Sequence, residues 1–330
     1  MLILAKAMLA MMIGFVMAVI SGLIIVPLLK KFNIKQTINV FLEKTHLKKE
    51  GTPVMGGIIF IIPTLITVFI LLATDKMQLS TNLIIVLFVF LAYALLGFID
   101  DYLIVKRHSN EGLTEFQKLF GQVLIALIFF FLYLKAGNEP HIVITTIGLD
   151  INLGWAYGIL ILFLLVASSN AVNITDGLDG LAGGLSAIAF LAIAMTTWNS
   201  PATQGSQDIA IFCFVLTGAL VGFLVFNAHP AKVFMGDTGS LSLGATLASV
   251  AVLTSHEITF IVIAGVFIIE TLASLLQMIW IMCFHKKLLL MAPLHHHFEK
   301  LGYSETTIVR GFLTVGLILA MAAILFSVWI

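Results

Sequence analysis

Apolar residues along this chain come in long runs rather than in alternation. Ten such runs, at about 7–29, 54–74, 82–99, 117–134, 154–172, 181–198, 209–226, 238–255, 258–283 and 309–330, are separated by short polar stretches. A helix needs roughly 20 mainly apolar residues to cross the hydrocarbon core of a bilayer. The pattern therefore predicts an all-α integral membrane protein with ten transmembrane helices in a single polytopic domain, residues 1–330. The first run follows Lys6 and lacks the small-residue cleavage pattern of a removed signal peptide, so it is expected to be retained. Between the fourth and fifth runs, HIVITTIGLDINLG (141–154) is rich in β-branched residues around a Gly-Leu-Asp turn, which predicts a short hairpin.

Charge orients this pattern. Cytoplasmic connections carry an excess of Lys and Arg. The connections after the odd-numbered runs, with the helix ends that border them, hold Lys30, Lys31, Lys35, Lys44, Lys48, Lys49, Lys106, Arg107, Lys118, Lys232, Lys286, Lys287, Lys300 and Arg310. Lys6, Lys76 and Lys135 fall on the other side. Fourteen of the 17 basic residues thus sort to one face, which predicts both termini and the hairpin outside the cytoplasm. Composition supports this. The chain is 60% apolar and 10% charged, against about a quarter charged in soluble domains. That excludes a soluble domain, a disordered chain, a coiled coil and a nucleic-acid binder. Cys213 and Cys283 both lie in apolar runs, so neither a disulfide framework nor a cysteine metal site is available.

The acidic residues are not scattered through the bilayer. Glu270 alone lies deep inside a run, while Asp100, Asp101, Asp176, Asp179 and Asp237 lie at cytoplasmic helix ends. A charge at a helix centre costs ~2.5–3.5 kcal/mol on insertion scales, so an ion pathway would place more charge at mid-membrane. Five aspartates on one face point instead to a cation-assisted interfacial site; the plainer reading is that they are solvated helix ends. Asp100 and Asp101 close ALLGFIDDY, and adjacent helical positions point about 100° apart, so the two are expected to divide roles. In NAVNITDGLDGLAGG (170–184), Asn170, Asn173, Asp176 and Asp179 recur at every third residue, which would put neighbours on one helix face. Gly177, Gly180, Gly183 and Gly184 permit close backbone approach, to a ligand or to another helix. FNAHPAKVFMGDTGS (226–240) offers Asn227, Lys232 and Asp237: an amide, a cation and a hard oxygen ligand of the kind Mg²⁺ takes alongside substrate phosphates. Asp237, Thr238 and Ser240 could equally cap the next helix.

Two more stretches carry chemistry. APLHHHFEK (292–300) holds three consecutive histidines. Zinc ligands on one element need a spacing that turns them to a common point, so contact with phosphate or substrate is preferred to zinc or to a structural role. The basic loop HLKKEGTPVMGG (46–57) marks topology and meets lipid headgroups, and its Gly-Thr-Pro bend could deliver Lys49 to a defined spot. No Gly-x-x-x-x-Gly-Lys phosphate loop occurs, which argues against an ATP-driven pump.

Taken in order, GTPVMGG, GFIDDY, NAVNITDGLDGLAGG, FNAHPAKVFMGDTGS and APLHHHFE resemble the bacterial phospho-N-acetylmuramoyl-pentapeptide transferase family, within the polyprenyl-phosphate N-acetylhexosamine-1-phosphate transferase superfamily. The resemblance runs from about Lys48 to Arg310. It implies ten transmembrane helices with an exterior hairpin between the fourth and fifth, in a bacterial plasma membrane with the active site on the cytoplasmic face. It implies a Mg²⁺-dependent reaction of UDP-MurNAc-pentapeptide with undecaprenyl phosphate, giving lipid I and UMP in peptidoglycan synthesis. It assigns Asp100, Asp101, Asp237 and His295 to the catalytic centre, with Asp237 and Asn173 as metal ligands. Lys49, Asn173, Asp176, Asp179, Asn227, Phe234, Gln277, His296 and His297 would bind substrate, and Lys106 or Lys118 would meet the lipid phosphate. Val54 stands where many members have threonine, and Leu103-Ile104 where many have a basic residue.

The chemistry this implies is direct attack of the lipid phosphate on the sugar-linked phosphorus; an aspartyl phosphate intermediate is the alternative. A sister transferase using GlcNAc-1-phosphate is the enzymatic rival. A secondary transporter, which would need paired mid-membrane helix breaks, is the rival from another class. The oligomeric state is left open, with a homodimer as one candidate.

Overall fold

The computed structural model describes residues 2–32, 34, 49, 51–107, 112–144, 149–198 and 205–329. Lys35, Lys44 and Lys48, used above for topology, lie outside the described residues, as does the turn of the expected hairpin at 145–148. Among the described residues the elements run α1 (Leu2–Lys31), α2 (Ile58–Ala73), α3 (Thr81–Arg107), α4 (Glu115–Lys135), β1 (His141–Ile144), β2 (Leu149–Asn152), α5 (Trp155–Thr175), α6 (Leu181–Thr197), α7 (Ser206–Asn227), α8 (Gly236–Leu253), α9 (Glu257–Ile263), α10 (Gly265–Phe284), α11 (Leu294–Lys300) and α12 (Glu305–Trp329). β1 and β2 pair antiparallel, His141 opposite Asn152.

The chain is a mainly helical membrane protein. Seven of its helices (α1, α3, α4, α5, α7, α10 and α12) are long and apolar enough to cross a bilayer. α2 and α6 are apolar but shorter. The eighth run forms α8, whose Gly, Ser and Thr side chains are buried. One expectation changes. The ninth run is not a single helix but breaks at Ala264 into α9 and α10. The break falls beside Gly265, where a Cβ would sit 2.8 Å from Leu319 of α12. Glycine is a poor helix former, and here its missing side chain admits a neighbour.

Burial sorts the helices. α7 is almost wholly enclosed, with α1, α2 and α6 packed along it, and α8 is enclosed by α3 and α5. By contrast α1, α10 and α12 present Met12, Leu23, Met282, Ile318 and Met321 outward. Such an apolar exterior suits lipid rather than water.

Candidate functional site

α3 and α8 touch at one point that decides the site. A Cβ on Gly97 would lie 2.1 Å from the carbonyl oxygen of Asp237, so only glycine lets the start of α8 press against α3. This brings Asp101 under the first turn of α8. Its carboxylate accepts the N–H groups of Asp237 (3.1 Å) and Thr238 (3.0 Å) and the Thr238 hydroxyl (2.6 Å). Met235, at the N-cap, supplies no side-chain cap, so an aspartate from another helix takes that part. Asp237 therefore lies inside the first turn and is not itself the cap.

Asp100 faces a different partner, as the angular argument required. Thr114 and Gln117 form a capping box that starts α4, and the neighbouring Leu113 N–H donates to Asp100 Oδ1 at 2.8 Å. One turn into α4, the Lys118 ammonium reaches both Asp100 (3.2 Å) and Asp237 (2.5 Å). Asn173, near the end of α5, donates to Asp237 Oδ1 (2.7 Å) and Ser240 Oγ (2.9 Å). Oxygens of Asp100, Asp101 and Asp237 all lie within 4.8 Å of one another. Hard oxygen donors gathered round a cation are what a divalent ion of the Mg²⁺ type requires.

A second cluster lies across the turn between α5 and α6. Lys49 Nζ is 2.7 Å from both Asp179 and Glu305. His229 Nδ1 is 3.0 Å from Asp179 and 3.3 Å from Glu305, and the Ala231 N–H also donates to Asp179. Burial alone would lower the Lys49 ammonium, yet hydrogen bonds to Asp179 and Glu305 hold it above the ordinary lysine value. The loop carrying Lys49 is tied down at Phe234: the Phe234 N–H donates to Pro53 O and the Gly56 N–H to Phe234 O, both at 2.8 Å. The ammonium stands 6.0 Å from the Phe234 ring centre.

The sequence expectations divide here. The threefold Asn/Asp spacing is helical only as far as Asn173, because α5 ends at Thr175. Asn170 pairs with Gln122 of α4, Asp176 ends the helix, and Asp179 lies in the following turn. That turn is where the clusters meet. Burial, reinforced by the carboxylates of Asp237 and Asp101, raises Asp176 to about 7. Asp179 joins the Lys49 cluster. The Gly180 N–H donates to Asn227 Oδ1 (3.1 Å), whose amide donates to Val233 O (3.0 Å).

Gln277 binds the Leu288 and Leu289 N–H groups and the Leu289 carbonyl, so its amide shapes the loop after α10. His295 is fully buried; His296 pairs with Glu299 at 2.6 Å, and His297 accepts the Leu290 N–H. Lys106 stays outside the aspartate cluster, against the Tyr102 ring, so Lys118 is the lysine brought to the aspartates. Lys232 is exposed. Sequence reasoning missed His229 and Glu305. His229 stood in a quoted motif, but nothing near Glu305 in the chain marks it, and its partner Lys49 is 256 positions away.

A family profile described as glycosyl transferase family 4 matches residues 83–255. The chain is 48% identical to the phospho-N-acetylmuramoyl-pentapeptide-transferase of Geobacillus sp. (strain WCH70), over 98% of each protein. It is 47% identical to the protein of that name from Bacillus subtilis (strain 168), over 97% of each. Aspartates from two helices distant in sequence, α3 and α8, gathered in one cluster, and identity sustained along nearly the whole chain, lead to one assignment: the chain belongs to the phospho-N-acetylmuramoyl-pentapeptide-transferase family.

Proposed function

We propose that the chain transfers phospho-N-acetylmuramoyl-pentapeptide from UDP-MurNAc-pentapeptide to undecaprenyl phosphate, giving lipid I and UMP at the cytoplasmic face of the bacterial plasma membrane. The observation that carries this reading is convergence. The turn from Asp176 to Gly180 borders the Asp100/Asp101/Asp237 cluster through Asp176 and the Lys49 cluster through Asp179. An aspartate cluster able to hold a cation thus stands beside a basic, aromatic-flanked one, as two phosphorylated reactants need.

The donor set fits Mg²⁺, with the carboxylates of Asp237 and its neighbours and the Asn173 side chain as the groups that would hold it. Bound there, the ion neutralises charge on the reacting phosphates. The protein's own groups do the rest. Lys118, between Asp100 and Asp237, is placed to receive the lipid phosphate. Lys49 and the Phe234 face would take the nucleotide, and His296 and His297 would border its phosphates. A phosphate monoester, with its second pKa about 6, is already largely ionised at neutral pH, so Asp100 need be only a weak base for the remaining proton. An oxygen of the lipid phosphate then forms a bond to the sugar-linked phosphorus. The bond from that phosphorus to the bridging pyrophosphate oxygen breaks, and its electron pair leaves with UMP. Direct attack is preferred to an aspartyl phosphate because the lipid phosphate is itself an ionised nucleophile at neutral pH, so no carboxylate need carry the phosphoryl group.

We further infer ten membrane crossings, with α2, α6 and α8 joining the seven longer helices and α9–α10 forming one broken span. Both termini and the strand pair then lie outside. The decisive experiment is formation of radiolabelled lipid product by purified protein, with and without Mg²⁺, and with UDP-GlcNAc as competing donor. Product from UDP-GlcNAc alone would transfer the assignment to a sister enzyme. Label retained on protein after incubation with nucleotide substrate alone would replace direct attack with the covalent route.

A further inference from the structure

Glu270 is an ionisable side chain in the middle of an apolar helix, and it is 0% exposed. Burying a carboxylate is costly unless hydrogen bonds compensate. The compensation comes from the histidine segment. Glu270 Oε2 accepts the Leu294 N–H at 2.8 Å and Oε1 accepts the His295 N–H at 3.2 Å. These are the first two amides of α11, whose N-cap residue Pro293 supplies no side-chain cap. The same carboxylate lies 3.2 Å from Nδ1 of the fully buried His295 ring, off the line of a good hydrogen bond.

The other ring nitrogen points to the site. A Cβ added to Gly177 would lie 2.3 Å from His295 Nε2, so the imidazole packs against the bare face of that glycine. Gly177 follows Asp176 in the turn where the two clusters meet, and Nε2 has no hydrogen-bond partner among the described residues. A buried imidazole nitrogen left unpartnered at a substrate site is a hydrogen-bonding group waiting for a ligand.

We propose that Glu270 is a positioning residue: it caps the histidine helix from within the bundle and orients the His295 imidazole, so that Nε2 is presented beside Gly177 as an acceptor for a hydroxyl or N–H group of the nucleotide-sugar substrate. The arrangement follows the carboxylate–imidazole logic by which an outer group sets the tautomer and angle of a working histidine. With Nδ1 turned to the carboxylate, Nε2 is the nitrogen left for the substrate. Glu270 thereby gains a task that neither lipid contact nor helix packing explains. The inference rests on the transferase reading above.

The test uses full-length protein in the lipid-product assay: wild type, Glu270→Gln, His295→Ala and the double variant. Glu270→Gln is expected to lower kcat on the order of 10–100-fold, the usual cost of losing such an outer partner, with KM for the nucleotide substrate little changed. Glu270→Asp should recover part of the loss. Because Glu270 acts through the ring, the double variant should be no slower than His295→Ala alone. Losses that multiply in the double variant, or wild-type kcat in Glu270→Gln, overturn the proposal. Should Glu270→Gln not be recovered folded, judged by size exclusion and thermal unfolding in detergent, Glu270→Asp alone and on the His295→Ala background gives the same two outcomes. A wild-type protein that makes no lipid product removes the transferase reading itself, a result distinct from either.

Discussion

The two adjacent aspartates of α3 show how far single residues could be read. Their separation by about 100° around the helix requires different partners, and they have them: Asp100 meets α4, Asp101 meets α8. Which partner each would find was beyond reach, because both lie across gaps in sequence. Asp101→Ala should cost about 2–3 kcal/mol, the scale of a lost charged cap, with turnover falling because Asp237 loses its support. Thermal unfolding in detergent measures the first effect and lipid product the second. Asp237→Ala should abolish Mg²⁺-dependent turnover with the protein still inserted; near-normal activity would remove it from the metal centre. Lys49→Ala should raise KM for the nucleotide substrate with a smaller effect on kcat, and the opposite split would move Lys49 out of the nucleotide pocket. It also strips the buried Asp179 and the half-buried Glu305 of their shared cation, so a drop in stability should accompany it.

At the scale of elements, apolar runs reported where helices lie, the ninth run alone breaking into two, but polar spacing misreported where one stops. Asn170 to Asp179 has a helical period, yet Gly177 and Gly180, with Gly180 at φ +79°, let the chain turn after Thr175. That termination is useful, since a continued helix would hold Asp179 away from Lys49. Glycine was ambiguous in the sequence, serving a ligand or another helix. At Gly97 it serves a helix. Gly97→Ala should force the Asp237 carbonyl away from α3, at about 1–3 kcal/mol and with much of the activity. An unchanged melting temperature would show that α3 and α8 separate without strain.

For the molecule as a whole, the lateral face is apolar and the polar groups collect at the ends. Lys76→Cys and Lys232→Cys, each made with Cys283→Ser to remove an exposed thiol, should react with an impermeant thiol reagent from opposite sides of the membrane. Labelling from the same side would break the proposed topology. At the opposite end from the aspartates by that topology, Glu257, the first residue of α9, is buried against Tyr157, which donates to it.

Sequence by itself determined the solvent and carried the expectation of sidedness. Twenty-residue apolar runs have no stable alternative to helices in lipid, and lysine is costly to move across a bilayer, so both are written locally. Tertiary structure alone decided which polar groups share a pocket. Hydrogen bonds and ion pairs act over about 3 Å, and the chain brings Glu305 to Lys49, Glu270 to His295 and Lys118 to Asp237 only after helices distant in sequence have packed through the gaps their glycines leave.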